Sequence, residues 1–248
     1  MKIEFYTLVD GIELAYPPIP ISEVPMRWVK KTQENLRTKF KTDSNPQSTG
    51  AHLCSGIRNL ISIGYAITAW HDIEITTNGD GAQFTWYVPN TNAKHCNIHN
   101  EPISLFYPEE YGEYAVLPPE TLKSIIKIPT PWRVRMPKGW GLMMLPLHYA
   151  DENRFTSLVG VLDPEISSVL NAVLYWHRLN EKTLIKAGTP LFYVVPVKLD
   201  DKLDVVIRTA TEKEKKWEEV YQTVAGCSFK NGVAKVKGIY DKFWSNKS

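Results

Sequence analysis

What the sequence lacks excludes a good deal. Three cysteines occur in 248 residues, Cys54, Cys96 and Cys227. They are odd in number and far apart, which does not suit the disulfide framework of a small secreted domain. Reduced thiols in a cytoplasmic setting are expected. No run approaches the roughly 18 consecutive apolar residues of a membrane span. The opening Met1-Lys2-Ile3-Glu4-Phe5-Tyr6 has no apolar signal core, so neither membrane insertion nor secretion is expected. Charge of one sign is also missing. The 29 Lys and Arg against 27 Asp and Glu leave a net +2, without the strongly basic face that nucleic-acid binders carry.

Catalytic signatures are equally scarce. There is no Walker sequence, no Gly-x-Gly-x-x-Gly fingerprint and no Gly-x-Ser-x-Gly elbow. His95-Cys96-x-x-His99 gathers three possible metal ligands, and His52-x-Cys54 adds two. A zinc site needs such clusters to meet in space, and exposed loop histidines are the commoner outcome. His71 and Asp72 are adjacent, so on a strand they point to opposite faces, which argues against a cupin-like metal triad. Paired carboxylates such as Asp151-Glu152 lie in polar turns, where solvation explains them. No cofactor is expected.

What is present is apolar segments cut by turn residues. Hydrophobic residues make up 43%, with eight Trp and twelve Tyr, and 17 Pro and 14 Gly punctuate the chain. Lys2 to Tyr6 reads as a first strand. Tyr16-Pro17-Pro18-Ile19-Pro20 reads as an extended arm, because each proline removes a ladder donor. Ser22 is placed as the N-cap of a helix carrying Trp28, Val29 and Leu36 on one side and several lysines on the other. Ile57, Leu60 and Ile61 have helical spacing, ended by Gly64. Tyr65 to Thr77 alternates like one strand, and Asn78-Gly79-Asp80-Gly81 turns it into Gln83 to Val88 as a hairpin. Further strands are placed at 103–107, 122–128, 139–147, 158–162, 169–177, 183–185 and 190–197, with a last one at 205–209. Residues 212–223 and 233–244 have helical periodicity.

The expected architecture is mainly β: a sandwich or β-clip/jelly-roll-like single domain of about ten to fourteen short strands. Peripheral helices are expected at about 22–38 and 211–245. A Pro-rich arm and helix (about 10–50) and a C-terminal helical tail (about 211–248) would pack on that domain. Trp132, Trp140, Tyr149, Tyr175, Trp176 and His177 fall in or beside turns of the central stretch. Clustered at the surface they would mark a ligand or partner patch, and core packing is the competing reading.

The central stretch also resembles a known group. Pro137-Lys138-Gly139-Trp140-Gly141-Leu142, then Val159-Gly160-Val161-Leu162-Asp163-Pro164, then Lys186-Ala187-Gly188-Thr189-Pro190-Leu191 follow one another as in dUTPase-like β-clip proteins. Residues 129–198 carry this likeness. It implies a β-clip fold and, at Asp163, a residue that would position water and sugar. The Arg-Ser-Gly, the Tyr-Gly after the aspartate and the Gly-rich phosphate lid of that group have no counterpart here. Over a longer span, from Tyr16-Pro17 to the region of Pro196, the chain resembles a family of bacterial and phage proteins with no assigned activity. The expectation is a non-catalytic binding or assembly protein, homo-oligomeric, with a protein or small-molecule ligand. The alternative is a small-molecule enzyme, either a nucleotide hydrolase using Asp163 or a cupin-like metal-dependent oxygenase.

Overall fold

A computed structural model describes residues 2–42, 51, 54–88, 103–107, 110, 117–199, 205–225 and 232–245. The chain divides into two compact units, Met1–Asp200 and Asp201–Ser248. The first is mainly β, with thirteen strands in three antiparallel sheets among the described residues.

The first sheet is built on β7 (Ile125–Arg135) and β11 (Val169–Trp176), with β1 (Glu4–Thr7), β6 (Ser104–Phe106) and β9 (Phe155–Ser157) at its margins. In β11 the period of two is complete: Leu170, Ala172, Leu174 and Trp176 are buried, and the alternate residues are half-buried. Each of the two leucines contributes about 1.5–3 kcal/mol on burial.

β7 runs straight through Pro129 and Pro131, where a strand end was expected. Two features make this tolerable. On one side β6 pairs only with 125–127 and β1 only with 132–135, so the prolines fall between the two partners. On the other side the register jumps from Val169 opposite Arg133 to Asn171 opposite Pro129, a bulge. Within the bulge the Thr130 hydroxyl donates to the Leu170 carbonyl at 2.6 Å. It also accepts the Trp132 N–H at 3.3 Å.

The second sheet has the order β10 (Gly160–Leu162), β8 (Trp140–Leu145), β13 (Pro190–Lys198), β3 (Tyr65–Thr68), β2 (Ile19–Pro20). The third is β12 (Lys182–Ile185), β4 (Ile73–Thr77), β5 (Phe84–Tyr87). The expected single strand 65–77 is therefore two strands in two sheets. The chain turns a corner at 69–72. Ala69 exchanges backbone hydrogen bonds with Thr189 and Gly188 (2.8 and 2.7 Å), and the Asp72 carboxylate accepts the Ala187 N–H at 2.8 Å. The expected hairpin is present as β4–β5. Asn78 closes it, with its N–H donating to Gln83 O and its Oδ1 accepting the Gln83 N–H. One hydrophobic cluster draws on the inner faces of all three sheets.

Helices lie at the margins. A short α1 (Ile12–Ala15) precedes the proline arm, and α2 spans Arg27–Thr42. Ser22 is not its cap, because Ile21–Glu23 forms a separate 3-10 turn and the helix starts after Pro25-Met26. α3 (Ser55–Ile63) ends at Gly64, where a Cβ would come within 2.5 Å of Ile21 and 2.8 Å of Val195. That glycine lets the helix end approach β13.

In the second unit, Val205 to Thr209 forms no strand. It pairs with no strand among the described residues, and Ile207 is 94% exposed. The unit contains α4 (Glu212–Ala225) and α5 (Gly232–Ser245). α4 opens with a capping box: Thr211 Oγ1 accepts the Glu214 N–H, and Glu214 Oε2 accepts the Thr211 N–H at 2.6 Å.

Candidate functional site

An open cleft of about 500 Å³ lies between residues 151–154, at the end of the β8–β9 loop, and residues 178 and 181–184, from the β11–β12 turn into β12. Its walls are held by charged side chains. Arg154 grips Glu152 through two nitrogens, Nε to Oε1 at 2.9 Å and Nη2 to Oε2 at 2.5 Å. Its third nitrogen, Nη1, donates to the Leu184 carbonyl. Arg154 thus ties the loop to the free edge of β12, which blunts that edge against other chains. The two side chains are 24% and 10% exposed. Burial of the Glu152 carboxyl raises its pKa, but the Arg154 side chain and backbone outweigh this and hold it below the usual carboxylate range.

The opposite wall is braced in the same way. Arg178 Nη2 donates to Asn153 Oδ1 at 2.6 Å, and its Nε lies 3.7 Å from Glu181. The Arg178 carbonyl accepts both the Thr77 hydroxyl and the Trp176 indole N–H, at 2.6 and 2.9 Å. Lys182 pairs with Glu74 at 2.8 Å across the sheet.

At the rim, α2 meets the loop. Arg27 donates its backbone N–H to Asp151 and forms an ion pair with it at 3.4 Å. The Trp28 indole donates to the Tyr149 carbonyl at 2.8 Å, and the two rings lie 5.8 Å apart. Tyr149 has φ +74°, a left-handed backbone that costs a residue of this size about 1–2 kcal/mol. Asn180, in the β11–β12 turn, has φ +57°. Strained residues of this kind gather at binding sites.

The expected patch is split by this geometry. Trp132 and Trp176 are core residues, 2% and 0% exposed. Trp132 donates to the Tyr16 carbonyl and anchors the proline arm, while Trp176 stacks on Phe155. Trp140 is half-buried on β8 opposite Lys198. Tyr175 is half-buried opposite Thr156. His177 and Tyr149 stand beside the cleft. The His177 N–H donates to the Arg154 carbonyl at 2.9 Å, and its Nε2 lies 2.7 Å from Thr156 Oγ1. Burial first, then the Arg178 charge, lowers the His177 pKa.

Asp163 lies elsewhere, in the turn after β10. Its Oδ1 accepts the Glu165 N–H at 2.9 Å, and its carbonyl accepts those of Ile166 and Ser167. Of the metal candidates, His52, His95, Cys96 and His99 lie outside the described residues. Cys54 is exposed at the start of α3, where the Ile57 and Gly56 N–H groups lower its pKa. Among the described residues no three His, Cys, Asp or Glu converge as metal ligands, and no helix is long and apolar enough to cross a membrane.

Sequence reasoning placed Glu152 among solvated carboxylates, and the structure corrects this. It also passed over Arg154 and Arg178. The one local signal was the Glu152-x-Arg154 spacing, which puts both side chains on one side of an extended loop.

No protein-family profile matches this chain, and none of the curated proteins is similar to it. Among solved structures, a mutant dUTPase from phage phi11 of S. aureus aligns with 56% of this chain and 99% of its own. The identity is 14% and the TM-score 0.27, too slight a likeness to support an argument about fold or chemistry.

Proposed function

We propose that this chain is a non-catalytic binding or assembly protein that receives its ligand in the cleft between Arg154 and Arg178. The observation that carries this reading is the engagement of the cleft's charged groups. Glu152 is held by Arg154, Asp151 by Arg27, and Glu181 by Arg178. A general acid or base must be able to exchange a proton with a substrate. A braced recess suits recognition instead, because its polar groups are ordered before the ligand arrives.

Asp163 supports the same reading, because its carboxylate caps a turn. Thermal-shift screening against nucleotides and divalent cations, read beside native mass, tests the proposal. The expected result is no stabilisation by dUTP or dCTP with magnesium. Stabilisation by either, lost in Asp163→Asn, would replace this reading with a nucleotide hydrolase.

A further inference from the structure

The helical hairpin α4–α5 shows an unfinished interior. None of the described side chains in residues 205–245 is buried. Trp217 is the centre of the seam, with its ring 5.1 Å from Tyr240 and 5.3 Å from Phe243. Trp244 packs on Tyr240 and Phe243, and the Lys213 ammonium lies 5.4 Å from the Trp244 ring.

The apolar surface of α5 is wider than one neighbouring helix covers. Val236, Tyr240 and Trp244 form one i, i+4 row, and Ile239 and Phe243 form a second beside it. α4 presents Trp217 and Tyr221 in a row, with Val220 alongside. Tyr221 and Tyr240 remain 41% and 47% exposed. Two 14-residue helices, each about 21 Å long, meet along one line of contact. Helices of this length are marginal without a packed face.

The charges beside these rows identify the occupant. On α4, Glu218 precedes the exposed Tyr221 by three residues; on α5, Lys237 precedes the exposed Tyr240 by three. Both are exposed, and neither is in an ion pair among the described residues. A two-fold axis that lays α4 of one copy against α5 of another brings acid to base twice. The same operation covers both tyrosines. Isologous self-association needs such a self-complementary surface.

We infer that the hairpin of residues 212–245 is a self-association module, which pairs with the same hairpin of a second copy to complete a four-helix layer. Tyr221 and Tyr240 lie at its centre, and Glu218 and Lys237 set its register. This does not depend on the cleft, and its failure would leave the cleft reading intact.

The test uses the full chain. Light scattering after gel filtration, at tens of micromolar, is expected to give twice the chain mass. Equal amounts of isotopically heavy and light protein are then mixed in urea, refolded together so that subunits pair at random, and cross-linked with a carbodiimide, which joins carboxylates to amines without a spacer. Heavy–light cross-links between α4 and α5 are expected. The double variant Tyr221→Glu/Tyr240→Glu is expected to fall to one chain mass while keeping its far-UV helix signal. A wild-type mass of one chain overturns the inference. So do cross-links between these helices that join only like isotopes, which would show the hairpin closing on its own chain. A dimer cross-linked only through other surfaces also overturns it.

Discussion

Glu152 and Arg154 are two residues apart in a polar loop, yet removing one would cost more than removing most core methyl groups. Truncating Arg154 leaves a carboxylate that is 10% exposed without its partner, and the Leu184 carbonyl without its donor. Breaking a buried pair in this way costs about 3–5 kcal/mol. Arg154→Ala is therefore expected to lower the urea-unfolding free energy by about 3 kcal/mol, whereas Lys182→Ala, in the exposed pair with Glu74, should cost under about 1 kcal/mol.

Acid should act through His71 and His177, whose pKa values burial lowers, and at lower pH through Glu152. His71 Nδ1 lies 3.2 Å from the Asp72 carbonyl, which can only accept, so Nδ1 carries the proton. Nε2 is then a buried lone pair with no partner among the described residues. Burial lowers the His71 pKa, against the opposing Asp72 carbonyl and charge. A histidine depressed in the fold contributes stability that is present above its unfolded value, about 6.5, and lost as pH falls through the native value. Glu152 behaves the same way at lower pH, its contribution present above about 4.5 and lost below. Stability measured from pH 7 to 5 should fall, and His71→Gln should flatten that slope.

At Tyr149 two effects of similar size oppose each other. Glycine relieves the left-handed strain, about 1–2 kcal/mol, and loses a ring contact with Trp28 of about 0.5–1.5 kcal/mol. Tyr149→Gly should leave the melting temperature nearly unchanged.

Elements defined by local turn chemistry were legible from residues alone. Asn78-Gly79-Asp80-Gly81 between β4 and β5 needs no distant partner to form, and the periodicity of α4 and α5 is intrinsic. Elements decided by distant partners were not. The corner at 69–72 contains no glycine or proline, and its alternation continues unbroken through Ala69 and His71. It turns because Thr189, Gly188 and Ala187 bond to it. Pro129 and Pro131 read as a strand end, but a bulge and a gap between β6 and β1 absorb them. Val205 to Thr209 has strand composition without a sheet edge.

Two substitutions test the packing of elements. Gly64→Ala would drive a methyl group into Ile21, Val195 and the Val194 carbonyl, at a cost of about 1–3 kcal/mol. Trp176→Ala would empty a fully buried site stacked on Phe155 and cost about 3–5 kcal/mol. Both are read by denaturant midpoint, with the Trp176 variant the more damaging.

For the whole molecule, the β-rich unit of residues 1–200 holds the packed core, and the helical unit of residues 201–248 has an apolar seam with no buried side chain among those described. The β class followed from alternation and turn residues. The cleft did not, because its walls come from loops separated by more than twenty residues, and charged loop residues read as solvated until their partners are known. The aromatic patch failed as a surface for a related reason. Trp132 and Trp176 sit next to turns in sequence but face inward on their strands. In the proposed role the cleft's acids and bases are already engaged, and Asp163 is committed to a turn. Pyrophosphate release from dUTP and dCTP with magnesium, by the wild type and by Asp163→Asn, tests this most directly. The prediction is no turnover above background for either protein. Turnover by the wild type that is abolished in Asp163→Asn would contradict it.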